Sequence, residues 1–101
     1  MSKPTQGVAV VTPETPGEAV FAIGPNQAGG YIVNPLDAAD QDQPEALPLY
    51  INQVNAATLW ANGTTIALQP GQSYAVIPNT LTGVSVASAG AKHKFTAVQW
   101  V

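Results

Sequence analysis

Apolar and polar residues alternate along much of the chain with the period of two that is typical of half-buried β-strands. Tyr74 and Val76 flank one alanine, and Val84 and Val86 flank one serine. Nine prolines and nine glycines interrupt the chain before any helical pattern reaches the about 8 to 20 residues of an ordinary helix. The predicted strands, rich in β-branched or aromatic residues, are 8–11, 20–23, 30–34, 49–54, 58–60, 64–68, 73–77, 83–87 and 95–101.

Two dipeptides mark turns between these strands. Pro70-Gly71 fits a type II turn, because proline fixes φ at the second position and glycine supplies the positive φ of the third. Asn62-Gly63 predicts a type I′ hairpin between 58–60 and 64–68. Together with the strand pattern, these turns predict an all-β fold, an antiparallel β-sandwich of about eight short strands with jelly-roll or Greek-key connections.

The first eighteen residues differ from the rest. Two Thr-Pro pairs fall within five residues, and prolines at that density favour an extended, polyproline-like backbone. We therefore expect an extended N-terminal arm over 1–18 and a sandwich domain over 19–101, with an edge strand or a frayed terminus as the alternative. The apolar residues that we expect to dock on the domain or on a neighbouring subunit are Val8, Val10 and Val11.

The composition of the chain excludes several classes of function. The 101 residues suffice for one domain with a thin core. The absence of cysteine removes disulfides and thiolate chemistry, and a formal charge of −3 without arginine argues against nucleic-acid binding. Neither a membrane span nor the apolar core of a signal peptide is present in the sequence, so we expect synthesis in a cytoplasm.

Charged residues are scarce and unevenly placed. They make up 9% of the chain against about 25% in an average protein, and the segment 46–91 contains none. Neutral polar side chains cost less to desolvate than unpaired charges, and interface cores are depleted in charge. The sequence therefore favours a protein that assembles with itself or with a lattice, while a stable monomer with neutral surface residues is the alternative.

The segment 35–48 holds four carboxylates, at Asp37, Asp40, Asp42 and Glu45. Calcium is one possible ligand, but the spacing lacks the alternating ligands and the glycine of an EF-hand loop. Glycoside hydrolysis needs two carboxylates that flank a cleft, whereas these share one loop. We expect a solvated acidic loop with a short helical turn near its start, and no metal or cofactor.

Lys92, His93 and Lys94 hold the only histidine and two of the three lysines. A lone histidine without a neighbouring nucleophile motif is a weak catalytic candidate, so we expect no catalytic residue here and a solvated turn before the last strand. The two lysines are candidate contacts for an acidic neighbour, such as the acidic loop of an adjacent copy. A phosphate or single-strand contact is the weaker alternative.

Trp60 stands beside the Asn62-Gly63 pair and is a candidate contact anchor, because tryptophan and tyrosine dominate interface hot spots. The five large aromatic residues with a polar edge are otherwise expected in the core, with a sugar-stacking platform as the alternative. They are Tyr31, Tyr50, Trp60, Tyr74 and Trp100.

Residues 28–101 resemble a known class of proteins. The runs that carry the resemblance are GYIVNP at 30–35, LYIN at 49–52, NGTT at 62–65, LQPGQ at 68–72, VSVA at 84–87 and GAKHKFTA at 90–97. This strand-and-turn patterning is similar to that of small structural proteins encoded among the virion genes of tailed bacteriophages. The resemblance implies a decoration (cement) protein on the capsid or a small part of a tail or fibre, and it carries over no role for His93.

The expected function is that of a non-enzymatic virion protein that stabilises the head by binding across neighbouring capsid subunits. Its expected partners are the major capsid protein or another virion protein, and a homo-oligomer, with a trimer favoured by capsid symmetry. Neither nucleic acid nor a membrane is an expected partner, and the expected location is the virion, assembled in the host bacterial cytoplasm. A receptor-binding or carbohydrate-binding module of a tail or head fibre is the alternative, and a small hydrolase is a third.

Overall fold

The structure is a computed structural model, and it describes residues 4–7, 14–24, 28–60, 63–78 and 82–100. Eight strands and one helical turn make up its regular structure. They are β1 (Pro4–Gly7), β2 (Val20–Ile23), β3 (Gly30–Val33), α1 (Ala38–Gln41), β4 (Leu49–Asn52), β5 (Thr65–Leu68), β6 (Ser73–Val76), β7 (Val84–Ser88) and β8 (Thr96–Trp100).

The strands form two four-stranded antiparallel sheets with the orders β1-β8-β3-β6 and β2-β7-β4-β5. The pairs are nested, since β4 pairs with β5, β3 with β6, β2 with β7 and β1 with β8. All but one of the connections between consecutive strands pass from one sheet to the other. The prediction of an all-β antiparallel sandwich is confirmed.

Because neighbouring strands are antiparallel, successive connections alternate between the two ends of the sandwich. One end carries the connections 8–19, 34–48, 69–72 and 89–95, and we call it the acidic end for reasons given below. The opposite end carries 24–29, 53–64 and 77–83, and we call it the uncharged end.

Apolar side chains from both sheets meet between them. The most deeply buried apolar residues of this core are Ile32, Leu49, Ile51, Val84 and Val86. Leu49 and Ile51 lie at alternate positions of β4, and Val84 and Val86 at alternate positions of β7, as the period of two predicts. Ile32 lies on β3 of the other sheet. At about 25 cal/mol per Å² of buried apolar surface, each such side chain contributes about 1.5 to 3 kcal/mol to folding.

The outer face of the sheet that contains β7 is also covered, which is why every residue of β7 is buried. Residues 53–60 fold back over this face instead of forming a strand. Ala57 donates its backbone N–H to Ser85 Oγ at 3.0 Å, and the Thr58 hydroxyl lies 3.2 Å from Thr65 Oγ1. Outward-facing Ser and Thr of the sheet thus bind the covering segment by hydrogen bonds.

The predicted strand 58–60 and its hairpin are therefore wrong. The Thr58 hydroxyl donates to the Trp60 carbonyl at 3.0 Å, and β5 pairs with β4 in place of 58–60. Asn62 lies outside the described residues, so the type of turn at Asn62-Gly63 remains a prediction. Residues 57 and 58 instead contact the Ser85 and Thr65 hydroxyl groups on the outer face of the sheet.

Two Pro-Gly pairs form turns. Gly71 has φ of 86° and the Gln72 N–H donates to the Gln69 carbonyl at 3.0 Å, which confirms the predicted type II turn. A second such turn ends at Glu18, whose N–H donates to the Thr15 carbonyl at 3.1 Å. The extended conformation predicted for this proline-rich stretch is thus a turn where the structure describes it.

Part of the predicted arm belongs to the sandwich. Residues 4–7 form β1, an edge strand paired with β8 over Pro4↔Trp100 to Gly7↔Ala97. The contact candidates Val8, Val10 and Val11 lie outside the described residues, so their docking remains a prediction.

Candidate interaction surface

Charge is segregated between the two ends of the sandwich. Eight of the nine charged side chains belong to connections at the acidic end: Glu14, Glu18, Asp37, Asp40, Asp42, Glu45, Lys92 and Lys94. Six carboxylates and two lysines give this end a formal charge of −4. The sequences of the three connections at the uncharged end contain no Asp, Glu, Lys or Arg, and Lys3, the ninth, lies outside the described residues.

The uncharged end also exposes large apolar side chains. Val54, Trp60 and Ile77 belong to its connections and are each more than half exposed. Connections that carry only apolar and neutral polar side chains lose little when another protein covers them, because none of these side chains is an ionic group that has to be desolvated. This end therefore has the physical character of an interface.

An open cleft of about 530 Å³ lies at this end, between the last residues of β4 and β6 and the first residues of β5. Val54, Ile66 and Ile77 supply exposed apolar walls. Tyr74 and Gln53 supply polar groups. None of the described residues that line the cleft carries a carboxylate, an amine or an imidazole, so this lining is suited to an apolar or neutral polar partner.

Gln53 closes one wall of this cleft by joining the two sheets. Its Oε1 accepts from the Ile77 N–H at 3.1 Å and its Nε2 donates to the Ile77 carbonyl at 2.8 Å. The same Oε1 accepts from the Tyr74 hydroxyl at 2.5 Å, and burial raises the pKa of Tyr74. The carboxamide thus acts as a one-residue strand partner for the backbone that continues β6.

Side-chain amides in the interior organise the acidic end. Asn34 Nδ2 donates to the carbonyls of Leu47 and Leu68, each at 2.9 Å. Gln41 Nε2 donates to Asn34 Oδ1 at 3.1 Å, and Gln41 Oε1 accepts from the Leu47 N–H at 2.8 Å. Both side chains are fully buried, and together they fix the path of the long β3–β4 connection.

His93 completes this network. Asn34 Nδ2 faces two carbonyls, so its Oδ1 must accept, and His93 Nε2 donates to it at 2.8 Å. The neutral ring then accepts at Nδ1 from the Ser88 hydroxyl, 2.6 Å away. Ser88 Oγ accepts in turn from the Gly90 N–H at 3.1 Å. Hydrogen bonding thus specifies a neutral imidazole with its proton on Nε2.

The predicted solvated turn at His93 is therefore wrong, because the imidazole is fully buried. Burial lowers the pKa of His93 to about 4, since a charged ring would lose its hydration. Ser88, His93 and Asn34 form a hydroxyl–imidazole–amide chain, but all three have no exposed surface. This hydrogen-bonded network links β7 to the β3–β4 and β7–β8 connections. Its buried Ser88 hydroxyl is not accessible as a nucleophile to a substrate.

The acidic and basic candidates lie in neighbouring connections of the same chain. The side chains of all five candidates are exposed: Asp37, Asp40, Asp42, Lys92 and Lys94. The Lys94 N–H donates to the Gln41 carbonyl at 2.9 Å, which joins the two connections. The sequence predicted that these lysines contact the acidic loop of an adjacent copy. In the structure, the acidic loop of the same chain already lies next to them.

The expected helical turn of the acidic loop is confirmed, and two of the four acidic residues flank it. The turn is α1. Asp37 caps it by accepting from the Ala39 N–H at 3.0 Å, and Asp42 ends it in the left-handed conformation. Among the described residues, no group of three His, Cys, Asp or Glu side chains is placed to share a metal ion.

The aromatic residues do not share one face. Trp60 is exposed on the segment that covers the β2-β7-β4-β5 sheet, Tyr31 lies on β3 in the other sheet, and Tyr74 faces the cleft. The sequence singled out Trp60 as a contact candidate, but not Val54 and Ile77, which it placed at the ends of predicted strands. In the sequence, each of these two residues is the last of its predicted strand and is followed by a polar residue or a proline. That position was the available indication that the side chain is exposed.

No helix in the described part of the chain has the length and apolar character needed to cross a membrane. Comparison with protein-family models found no family that matches the chain, and comparisons with curated proteins and with solved structures found no match.

Proposed function

We propose that this chain is a non-enzymatic structural protein of a tailed-bacteriophage virion, a capsid decoration protein with a jelly-roll fold. Two sheets of four strands with fully nested pairing support the jelly-roll description. The phage assignment rests on the resemblance of residues 28–101 to small virion proteins. The partner is the major capsid protein or another virion protein.

The segregation of charge carries the proposal. Six carboxylates lie at one end, and at the opposite end three connections without charged residues carry the exposed Val54, Trp60 and Ile77. A decoration protein requires one surface that is covered by the particle and another that faces water. The uncharged end serves as the attachment surface and the acidic end faces solvent.

Trp60 is the expected anchor of attachment, since its side chain is large and 63% exposed. Truncation of an interface tryptophan at a hot spot costs about 2 kcal/mol or more, which is about 30-fold in affinity. Leu36 provides the matched control, because it is 72% exposed but lies at the acidic end.

The experiment uses particles of the phage whose genome encodes the chain. We expect the chain in purified particles, located on the head by electron microscopy, with occupancy strongly reduced by Trp60→Asp and unchanged by Leu36→Asp. Absence of the chain from purified particles, or equal occupancy for both variants, contradicts the proposal. Binding of the isolated chain to a glycan array would instead support the fibre alternative.

A further inference from the structure

Two connections at the acidic end, 34–48 and residues 89–94 of the next one, are held to the sandwich by polar groups and not by the apolar core. Their fully buried side chains are those of Asn34, Gln41 and His93, and none of the three is apolar. The fully buried residues of the apolar core all lie on strands. Attachment of these connections therefore depends on buried hydrogen bonds.

His93 lies where the two connections meet β7. Its Nε2 donates to Asn34 Oδ1 in one connection, and its Nδ1 accepts from the Ser88 hydroxyl at the end of β7. Asn34 Oδ1 also accepts from Gln41 Nε2, and the Lys94 N–H donates to the Gln41 carbonyl. A change at the imidazole therefore reaches both connections through direct hydrogen bonds.

The charged side chains around His93 are all exposed. They are Lys92 and Lys94 beside it in the sequence, Asp37, Asp40, Asp42 and Glu45 of the 34–48 connection, and Glu14 and Glu18 of the 8–19 connection. β5, β7 and the turn 69–72 contribute none. Because both ring nitrogens bond to neutral groups of Asn34 and Ser88, no carboxylate in the interior would stabilise an imidazolium.

We propose that His93 is a pH-sensitive switch, whose protonation releases the connections 34–48 and 89–94 while the two sheets remain paired. A protonated Nδ1 is a donor, so the Ser88 hydroxyl can no longer donate to it, and the charged ring recovers its hydration only by leaving the interior. The strands keep their core and their pairing, because neither includes the imidazole. This switch does not depend on the proposed virion function.

The size of the effect follows from a closed and an open form of these connections. Burial lowers the pKa of His93 to about 4 in the closed form, whereas a solvated ring in the open form has the ordinary pKa of about 6.5. The preference for the closed form is fully present above pH 6.5 and is lost as the pH falls toward 4. The ratio of open to closed molecules should therefore rise by about 100-fold between pH 7 and pH 4.

Hydrogen exchange of the full chain at low urea concentrations tests the proposal, with each rate corrected for the intrinsic effect of pH. The Leu47 and Lys94 amides donate to Gln41 and report on the two connections. Their protection should fall by about 100-fold between pH 7 and pH 4 and should depend little on urea, because a local opening exposes little surface. Amides of β4 and β7 should stay better protected and show the steeper urea dependence of global unfolding.

Two variants assign the effect to His93. His93→Gln does not titrate and should remove this pH dependence, although its connections could be less protected at every pH. The matched control is Gln43→Ala, which removes a different hydrogen bond between the same connections, from Gln43 Nε2 to the Ala91 carbonyl. It should retain the pH dependence of the unaltered chain, because Gln43 does not titrate.

Nuclear magnetic resonance of the unaltered chain gives a readout that needs no variant. His93 is the only histidine in the sequence, so its ring resonances report its protonation directly. Protonation should coincide with the loss of protection at Leu47 and Lys94. An equal pH dependence in His93→Gln, a loss with the urea dependence of the strands, or ring protonation without loss of protection at these two amides overturns the proposal.

Discussion

Protonation of His93 is expected to lower the stability of the fold as the pH falls. The neutral ring donates from Nε2 to Asn34 and accepts at Nδ1 from Ser88. A proton on Nδ1 would turn that nitrogen into a donor toward Ser88 Oγ, which already accepts from the Gly90 N–H. The Ser88 hydroxyl proton would then need a new acceptor in the interior, and an imidazolium would be buried.

The magnitude follows from the two pKa values of His93. Burial lowers the pKa from the ordinary 6.5 to about 4 in the folded chain, whereas the unfolded chain retains the ordinary value. As the pH falls below 6.5, the unfolded state binds a proton that the folded state does not, and the free energy of unfolding decreases. The full contribution of neutral His93 to the free energy of unfolding is present above pH 6.5, and about 3 kcal/mol of it is lost by pH 4.

Urea unfolding between pH 7 and pH 4, followed by circular dichroism, measures this loss. The comparison is with His93→Gln, whose carboxamide retains a donor toward Asn34 but does not titrate. Carboxylates and lysines are common to both proteins, so the difference between the two pH dependences isolates His93. A loss of about 3 kcal/mol is large against the about 5 to 15 kcal/mol that stabilises a typical domain.

The quantity to compare is the slope against pH and not the stability at pH 7, because His93→Gln also changes packing. The unaltered chain should lose about 3 kcal/mol more than the variant between pH 7 and pH 4. Parallel pH dependences in the two proteins would show that His93 does not titrate in this range, and would refute the assignment of a buried neutral imidazole.

Three further substitutions test the fold. Asn34→Ala removes four side-chain hydrogen bonds and should cost about 3 kcal/mol or more in urea unfolding, whereas Asn55→Ala at an exposed position should cost little. Gly71→Ala should destabilise by about 1 to 2 kcal/mol because φ is positive and a Cβ would lie 3.1 Å from Leu36, while Gly63→Ala should not. Gln53→Glu should lower the melting temperature, because it loses the donor to the Ile77 carbonyl.

The positions of β2 to β8 and the Pro70-Gly71 turn were predictable because their causes are local, whereas β1 and the segment 58–60 were misassigned. Alternation at β6 and β7 reports which side chains face the core, and the proline-glycine pair restricts the backbone at its own position. Strand ends were less accurate, since Val54 and Ile77 continue the apolar pattern although both strands have ended. Apolar character cannot distinguish a core position from an exposed one beyond a strand.

The buried network could not be predicted because its members are far apart in the chain. Asn34 and His93 are separated by 59 positions, and neither has neighbours that mark it as an interior residue. His93 lies between two lysines, which indicates solvent, yet its side chain is fully buried while both lysines are exposed. The segment 53–60 was misread for a similar reason, because its partners are hydroxyl groups on a sheet formed by distant strands.

Confinement of the net charge to one end gives the folded chain a permanent electric dipole along its strands. In a layer of copies that all stand the same way, negative poles would lie side by side and repel one another. Dissolved ions screen this repulsion over a Debye length of about 10 Å at 0.1 M salt. Dense packing of copies on a surface should therefore be more favourable at high ionic strength and less favourable in dilute buffer.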